Sequence, residues 1–548
     1  MIYTEQTQNA MKLCYQAHAG QSDKSGVPYV LHPVHLAEQM DDEISTVVAL
    51  LHDVVEDTEY TFTDLEQMGF APEAIEALKL MTHDMQTDYL DYVRNLAENP
   101  IARKVKMADL MHNLDAARLK NPSERMEQKR VMYRKALKIL KEAQPVPVDY
   151  SLPHIPVSDT DAAALKKMQN RKSRDQIRGS LIGGAAGDAL GYEVEFIHYD
   201  EIVHQFGPDG IRDYVLDNGY ARFSDDTQMT LYTAAGLLYG TTRFRMRGIG
   251  GLMETYIHRA YLDWLETQHR TGKREAITWL NNIKPLYAWR APGNTCLSAL
   301  GSGKMGSVEN PINNSKGCGG VMRVAPIGLY FKNTREPGKN DQIQMIMELG
   351  GEAAAITHGH PLGYIPAAAL VHIINRIVYG GCKYGQMPAQ ILRECKELLV
   401  ELYGDTVHVE RMNRLIDRAA ELSAGNRADH ENIHALGGGW VGEEALAIAL
   451  YCWLKYPADF DKALIASVNH SGDADSTGAI LGNIMGAVFG YEAISRKWKE
   501  NLELHDVILE IADDLCDDCR MSEYGSYRDQ VWEEKYIHHT YVTAKIQG

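Results

Sequence analysis

The sequence predicts an all-α protein with two helical domains. Its 548 residues exceed the size at which one hydrophobic core usually stops growing. Few segments show the strict alternation of a half-buried strand, whereas apolar residues recur at helical spacing over 44–57, 362–377, 443–454 and 479–488. Between Gln144 and Ser158 four prolines predict an extended connector. We therefore expect domains at 1–143 and 173–548, joined by a proline-rich linker at 144–172.

The amino-acid composition indicates which classes of molecule this chain can bind. The chain carries 74 acidic and 56 basic residues, a formal net charge of −18, without a dense lysine or arginine stripe. This charge repels nucleic-acid backbones, so we expect no nucleic-acid partner, and anionic small molecules then require metal ions or local cations. The sequence contains no apolar run long enough to predict a membrane span. Its first residues lack a signal-peptide pattern. The cysteines are scattered along the chain, which indicates reduced thiols. We expect a cytoplasmic protein, and the sequence leaves its oligomeric state open.

A histidine–aspartate pair follows an apolar stretch in the first domain. On a helical wheel of residues 44–58 the valines and leucines share one side, while His52, Asp53 and Glu56 lie opposite and Asp57 lies at the margin. Because His52 and Glu56, like Asp53 and Asp57, are four residues apart, these side chains can converge on a divalent metal with a nearby base. The alternative is the solvated polar face of an amphipathic helix.

Two further segments accompany this pair: AHAGQSDKSGVPYVLHP (Ala17–Pro33) and VKMADLMHNL (Val105–Leu114). In this order the three motifs resemble the HD-type hydrolase domain of RelA/SpoT alarmone enzymes, over roughly the first 140 residues. The resemblance implies a Mn²⁺ ion held by His32, His52, Asp53 and Asp109. It also implies that the carboxylates of Glu56 and Asp57 activate the attacking water. The substrate would then contact Lys24, Ser25, Tyr29 and Asn113.

The chemistry so implied is removal of a phosphate or pyrophosphate from a ribose hydroxyl of a nucleotide. The alarmone enzymes release the 3′-pyrophosphate of ppGpp, and relatives cleave the 2′-phosphate of NADPH. Asp23 stands where the bacterial enzymes have an arginine whose face stacks on a purine, and Leu110 replaces a usual basic residue. A guanine preference therefore does not follow. We expect an adenine nucleotide as substrate, with ppGpp as the alternative.

Two carboxylate clusters in the second domain share one design. Residues 224–227 (SDDT) and 472–477 (GDADST) each precede a helical run. Plain N-capping of a helix needs one such residue, whereas two carboxylates gather at each start and repel each other unless cations bridge them. Oxygen ligands of this kind suit Mg²⁺ or Mn²⁺. Small residues permit the close helix approach that bringing the clusters together requires, among them Gly183, Gly184, Gly187, Gly478, Gly482 and Gly486.

Six ordered motifs between Ile177 and Leu515 carry a second resemblance: IRGSLIGGAAGDALGYEVEF, FSDDTQM, KGCGGVMRVAP, THGHP, GWVGEEALAIAL and NHSGDADSTGAI. They resemble the ADP-ribosyl-glycohydrolase family, which includes the dinitrogenase-reductase-activating enzyme, and imply an orthogonal helical fold. The resemblance implies two Mg²⁺ or Mn²⁺ ions bound by Ser224, Asp225, Asp226, Asp473, Asp475 and Ser476. It implies that Glu195 contacts the distal ribose and that the remaining substrate contacts come from Gly317, Cys318, Gly319, Gly320 and His358. Cys318 stands in place of a frequent asparagine.

Together these patterns predict a bifunctional metal-dependent hydrolase. The second domain would cleave the glycosidic bond of an ADP-ribosylated substrate and release ADP-ribose, and the first would trim a nucleotide. The partners are then small-molecule nucleotides, ADP-ribose or ADP-ribosylated protein. The alternative is a non-catalytic sensor or immunity protein that binds such nucleotides or a toxin. The polar segment 394–436 is either a wall on the acceptor side of the cleft or a surface insertion.

Overall fold

The computed structural model describes residues 4–22, 26–40, 42–82, 87–114, 124–142, 173–248, 250–270, 275–332, 341–380, 387–404 and 406–543. The predicted linker at 144–172 and the residues Asp23, Lys24 and Ser25 lie outside these ranges. The chain separates into two compact units, Met1–Asp149 and Tyr150–Gly548. Within the described ranges the regular structure is helical, with isolated β-bridges and no strand, which confirms the predicted all-α class.

The N-terminal unit packs its helices around α3. Its helices are α1 (Glu5–Ala17), α2 (Leu31–Glu38), α3 (Glu43–Leu51), α4 (Val54–Asp57), α5 (Phe62–Gln67), α6 (Pro72–Met81), α7 (Tyr89–Ala97), α8 (Pro100–Leu114) and α9 (Glu124–Glu142). Helix α3 starts where the Asp42 carboxylate accepts a hydrogen bond from the Ser45 backbone N–H. Its residues 45–51 are all buried, and it contacts α1, α2, α6 and α8. An apolar run of this kind therefore forms the central helix of the unit.

The expected continuous helix over 44–57 is wrong in one respect. Helix α3 ends at Leu51 and α4 begins at Val54, so His52 and Asp53 lie in the break between two helices. The helical wheel placed these two side chains on one polar face of a straight helix. At this break His52 is buried, with 3% of its side chain exposed, and Asp53 is partly buried, with 19% exposed.

The C-terminal unit is larger and built around two helices rich in small residues. Its first helices are α10 (Ser173–Gly191), α11 (Tyr199–Phe206), α12 (Asp225–Arg247), α13 (Met253–His269), α14 (Asn294–Gly301), α15 (Ala325–Tyr330), α16 (Asp341–Ala355) and α17 (Pro361–Tyr379). The chain continues through α18 (Met387–Tyr403), α19 (Val407–Ser423), α20 (Asp429–His434), α21 (Gly442–Lys455), α22 (Phe460–Val468), α23 (Ala474–Phe489), α24 (His505–Asp517) and α25 (Gln530–Tyr536). By length and composition α17 could cross a membrane, but 89% of its apolar window is buried inside this unit, as expected of a core helix.

Helices α10 and α23 touch backbone to backbone. A Cβ atom added at Gly183 would lie 2.3 Å from the Gly482 carbonyl oxygen, and one at Gly187 would lie 2.0 Å from the Gly478 carbonyl oxygen. One turn further along, a Cβ at Gly486 would lie 1.9 Å from the carbonyl oxygen of Gly179. No side chain fits into these gaps, because nonbonded carbon and oxygen atoms do not approach so closely. The glycines therefore set the distance between the two helices.

We expect Gly482→Ala to destabilise the C-terminal unit by about 1–3 kcal/mol or more, because its methyl group overlaps backbone rather than a movable side chain. All seven tryptophans lie in this unit, so urea unfolding followed by tryptophan fluorescence reports it separately. The matched control is Gly301→Ala, since a Cβ at Gly301 meets no atom within 4 Å. Equal urea midpoints for the two variants would contradict the packing argument.

Candidate active sites

The first candidate site lies at the break between α3 and α4. The His52 Nδ1 atom lies 2.9 Å from the backbone carbonyl oxygen of Ala49, so Nδ1 is the protonated nitrogen and donates to that oxygen. The other nitrogen, Nε2, lies 2.9 Å from the Asp53 carboxylate. The local backbone thus fixes the tautomer in which Nε2 of a neutral imidazole is the ligand atom.

Two more helices complete this site. His32 from α2 has its Nε2 atom 3.3 Å from an Asp109 carboxylate oxygen on α8 and 3.9 Å from an oxygen of Asp53. Ligand atoms of His32, His52 and Asp109 all lie within 4.8 Å of one another, and the three residues are buried. The structure therefore brings all four predicted ligands together, and the two imidazoles and carboxylates suit a divalent transition ion.

The charges around this group favour a cation. Burial by itself disfavours the charged imidazole, but Asp53 and Asp109 raise the pKa of His52 to about 9. Burial opposes ionisation of Asp53 as well, yet His52 lowers the pKa of this carboxyl to about 2. The pKa of Asp109 is lowered against the cost of its burial, chiefly by Lys106 at 2.9 Å. Anionic carboxylates beside imidazole nitrogens are an environment in which a metal ion replaces protons.

The remaining predicted residues of the N-terminal unit fall into two groups. The Tyr29 hydroxyl donates to the Asp53 carboxylate at 2.5 Å, and the Asn113 amide donates to Asp109 at 2.5 Å. These two side chains hold ligands in place. Glu56 and Asp57 lie on α4 with exposed side chains, one turn beyond Asp53. The predicted substrate residues Lys24 and Ser25 lie outside the described ranges.

His112 is a participant that the sequence reading missed. Its Nδ1 atom lies 2.6 Å from Nδ1 of His32, and the two rings are nearly parallel. If His32 offers Nε2 to a metal, its Nδ1 carries the proton and donates to His112. The ADxxHN motif that supplied Asp109 and Asn113 contains this histidine, so the signal was present in the sequence.

The second candidate site lies where α12 and α23 begin. Ser224 is the N-cap residue of α12, and its hydroxyl accepts a hydrogen bond from the Asp226 N–H. Asp473 is the N-cap residue of α23 and accepts from the Ser476 N–H. The predicted carboxylate clusters therefore do start helices, and capping alone uses only one residue of each.

Asp188 of α10 lies beside the first of these helix starts and was not among the predicted site residues. Its carboxylate accepts hydrogen bonds from the backbone N–H groups of Ser224 at 2.8 Å and Thr227 at 2.9 Å, and from the Thr227 hydroxyl at 2.5 Å. Asp188 thus fixes the turn that presents Asp225 and Asp226. Its place in a helix of glycine, alanine and apolar residues was the signal in the sequence.

The carboxylates of the second site are buried and repel one another. Burial raises the pKa of Asp225, Asp226 and Asp475, and their mutual repulsion raises it further. For the same reasons the pKa of Asp188 rises to about 7 and that of Glu195 to about 10. One oxygen of Asp226, Oδ2, is buried without a hydrogen-bond partner. A buried oxygen with no donor, among like charges, fits the oxygen ligation of Mg²⁺ or Mn²⁺.

The two sites differ in how closely their ligand atoms are gathered. Among the described residues, the group from α2, α8 and the α3–α4 break is the one with three potential ligand atoms mutually within 4.8 Å. The carboxylates at the starts of α12 and α23 converge on one region without meeting that distance.

Residues 317–320, here called the glycine loop, lie beside the second site. Residues 318–320 form a short 3₁₀ helix, and the loop is tied to the start of α21 by a hydrogen bond from the Cys318 N–H to the Trp440 carbonyl oxygen at 3.3 Å. The Cys318 thiol lies 2.9 Å from the Asp473 carboxylate. This thiol therefore faces the carboxylate cluster, while the Cys318 N–H is already bonded to Trp440.

His358 lies against the glycine loop. A Cβ atom at Gly319 would lie 3.0 Å from the His358 ring, and one at Gly317 would lie 3.3 Å from it. Burial lowers the pKa of His358 to about 3, so the imidazole is neutral, and its Nδ1 atom is 2.9 Å from the Thr357 hydroxyl. The predicted substrate histidine therefore packs against the loop, and its ring leaves little room for a side chain at either glycine.

Comparison with known proteins agrees with this geometry. The sequence profile described as ADP-ribosylglycohydrolase matches residues 169–525, which include every residue of the second site. The chain belongs to the ADP-ribosylglycohydrolase family. This membership makes the C-terminal unit a hydrolase of ADP-ribose linkages, and the family is metal-dependent.

Individual relatives cover the two units unequally. The ADP-ribosylhydrolase ARH3 of Mus musculus is 27% identical over 367 residues, which is 61% of this chain and 88% of the relative. The ADP-ribosyl-[dinitrogen reductase] glycohydrolase of Rhodospirillum rubrum is 23% identical, over 60% of this chain and 91% of its own. For the N-terminal region, a probable GTP pyrophosphokinase of Mycobacterium leprae is 30% identical over 135 residues, 22% of this chain and only 17% of that protein.

We expect His112→Ala to weaken Mn²⁺ binding about 10–100-fold, because the substitution removes the partner that orients His32. Isothermal titration of the metal-free protein, with the C-terminal site disabled by Asp475→Asn, measures this affinity directly. His112→Asn keeps a hydrogen-bond acceptor and should recover part of the loss. An unchanged affinity in His112→Ala would mean that His112 does not position the ligand.

Proposed function

We propose that the C-terminal unit cleaves the glycosidic bond between ADP-ribose and an acceptor and releases ADP-ribose. The observation that carries this proposal is the pair of buried carboxylate clusters at the starts of α12 and α23, with the unpartnered Asp226 oxygen between like charges. The ions would be held by Ser224, Asp225, Asp226, Asp473, Asp475 and Ser476. Bound there, Mg²⁺ or Mn²⁺ would supply positive charge for the hydroxyls of the distal ribose and for water.

Glu195 is the carboxylate best placed to exchange a proton. The aspartates at the two helix starts are at most 6% exposed (Asp225, Asp226, Asp473 and Asp475). Glu195 is only partly buried and does not cap a helix. Burial and the neighbouring carboxylates raise its pKa, and cations bound among those carboxylates would offset the repulsion and leave Glu195 ionised, as a general base must be. Glu195 would accept the proton of the attacking water as the C1″–acceptor bond breaks. The acceptor would leave with the bonding electrons and take up a proton, and the nearby carboxylates would stabilise the positive charge that develops on the ribose.

We expect Asp475→Asn to reduce ADP-ribose release at least 10³-fold, because one ion loses a ligand among the remaining carboxylates. Chromatographic detection of ADP-ribose released from an ADP-ribosylated protein measures this loss. The thermal stability of the metal-free variant should be equal to or above that of the parent, since the substitution relieves like-charge repulsion. Asp513→Asn, which removes a half-buried ion pair with Arg178 outside the carboxylate clusters, is the matched control. Turnover retained in Asp475→Asn would refute the ligand assignment.

For the N-terminal unit we propose removal of a phosphate or pyrophosphate from a ribose hydroxyl of a nucleotide. The specific observation is the buried group of His32, His52 and Asp109, with Asp53 completing the set. These residues would hold Mn²⁺, which would neutralise phosphate charge and activate water, and the exposed carboxylates of Glu56 and Asp57 would take the proton. An adenine nucleotide is the proposed substrate and ppGpp the alternative.

The two activities should be separable by substitution. We expect His52→Ala to abolish phosphate release while ADP-ribose release persists, and Asp475→Asn to do the reverse, because the two sites lie in different units. Parallel assays on ppGpp, pppApp, NADPH and 2′-phospho-ADP-ribose, with phosphate and pyrophosphate detection, measure the first activity. A kcat/KM for ppGpp a hundredfold above every adenine nucleotide would overturn the adenine proposal. A protein that takes up neither Mn²⁺ nor Mg²⁺ would favour the non-catalytic binding alternative.

A further inference from the structure

Arg323, which follows the glycine loop by three residues, is completely buried. It is 0% exposed, and its hydrogen-bond acceptors in the described part of the chain are two sulfur atoms, a carbonyl oxygen and a hydroxyl. Its guanidinium also lies over the ring of Tyr261, 4.3 Å from the ring centre. Because a buried charge is costly unless neighbouring groups satisfy it, the acceptors of Arg323 indicate what this side chain orders.

The strongest of these hydrogen bonds goes to Thr357. The Nη1 atom lies 3.3 Å from the Cys296 sulfur and 3.5 Å from the Met229 sulfur, and sulfur is a weak acceptor. The Nη2 atom donates to the Ala353 carbonyl oxygen at 3.2 Å and to the Thr357 hydroxyl at 2.6 Å. The guanidinium therefore fixes one lone pair of the Thr357 oxygen as an acceptor.

The Thr357 hydroxyl lies between this guanidinium and the imidazole of His358. Its oxygen is 2.9 Å from His358 Nδ1, and the threonine is 0% exposed, so its single hydrogen needs an acceptor inside the protein. Nδ1 is a better acceptor than the Cys296 sulfur, which already faces Arg323. The hydroxyl then donates to Nδ1, and the one proton of the neutral imidazole is on Nε2.

The Nε2 atom of His358 faces the glycine loop. It lies 3.3 Å from the position of a Cβ atom at Gly317 and 3.3 Å from that of a Cβ atom at Gly319. Within the described ranges it makes no hydrogen bond, yet it is not one of the polar atoms that are sealed from solvent without a partner. This donor is therefore accessible over the loop, where an oxygen of a bound ligand can accept its hydrogen.

We propose that Arg323, acting through Thr357, holds His358 in the tautomer with the proton on Nε2, so that Nε2–H donates to an oxygen of ADP-ribose above the glycine loop. The inference rests on the glycohydrolase function proposed for the C-terminal unit. His358 touches the ligand, and Arg323 and Thr357 are positioning residues. The opposite tautomer would present a lone pair at Nε2, which repels the anionic diphosphate oxygens of ADP-ribose.

Nitrogen-15 NMR of the histidine rings in the full-length protein measures the tautomer directly. We expect His358, identified by the signals lost in His358→Gln, to show a protonated Nε2 and an unprotonated Nδ1. Thr357→Val removes the hydroxyl at nearly constant shape, so the opposite tautomer or a mixture should appear, and Thr357→Ser should restore the parent pattern. A parent protein with the proton on Nδ1, or a Thr357→Val protein with the parent pattern, would overturn the inference.

Calorimetric titration of the Mg²⁺-loaded full-length protein with ADP-ribose measures the consequence for binding. Thr357→Val and Arg323→Met should each weaken binding about tenfold or more, because a hydrogen bond to a charged group is lost, and Thr357→Ser should stay close to the parent. Thr242→Val is the matched control, since it removes another buried threonine hydroxyl, one that accepts from the Trp532 indole at 2.9 Å, and it should not change the affinity.

The pattern across the variants separates positioning from a merely structural role. Equal losses of affinity in Thr357→Ser and Thr357→Val, or no loss in Thr357→Val, would overturn the positioning role of Thr357. A parent protein that does not bind ADP-ribose would instead refute the proposed glycohydrolase function, while the tautomer of His358 still tests the hydrogen-bond chain by itself.

Discussion

The backbone contact between α10 and α23 is the constraint on which the second site depends. Gly183 and Gly187 lie against the carbonyl oxygens of Gly482 and Gly478, so the helix axes approach as closely as two backbones allow. Helix α10 carries Asp188, and α23 begins with the cluster that contains Asp475. Because both helices are fixed at this distance, carboxylates almost 300 residues apart in sequence share one buried region. A single methyl group in the contact would separate them.

In this arrangement the buried carboxylates of the second site repel one another. Burial and mutual repulsion raise the pKa of every carboxyl in the cluster, and the Asp226 Oδ2 atom has no donor. The apolar packing of the surrounding helices, whose residues form one continuous core, offsets the unfavourable free energy of this repulsion. Cations relieve the repulsion, so the features that destabilise the metal-free protein are the ones that select its ligand.

The N-terminal unit has imidazoles as well as carboxylates among its predicted metal ligands. A break in the helix turns His52 inward, the Ala49 carbonyl fixes its tautomer, and His112 does the same for His32. Asp109 has Lys106 and Asn113 as partners, so its charge is compensated even without a metal. The two units therefore provide different ligand sets, nitrogen with oxygen in one and oxygen alone in the other. The first set suits a transition ion such as Mn²⁺, and the second suits an oxygen-ligated ion, Mg²⁺ or Mn²⁺.

The sequence by itself determined the helical class and the two helix starts of the second site, because helical spacing and capping chemistry are written in consecutive residues. The metal-ligand residues came from the two family resemblances and stay a prediction. It placed His52 and Asp53 on a continuous helix, and only the packed structure shows the break at these residues and the burial of His52. Asp188 and His112 escaped the sequence reading because their roles come from partners on other helices.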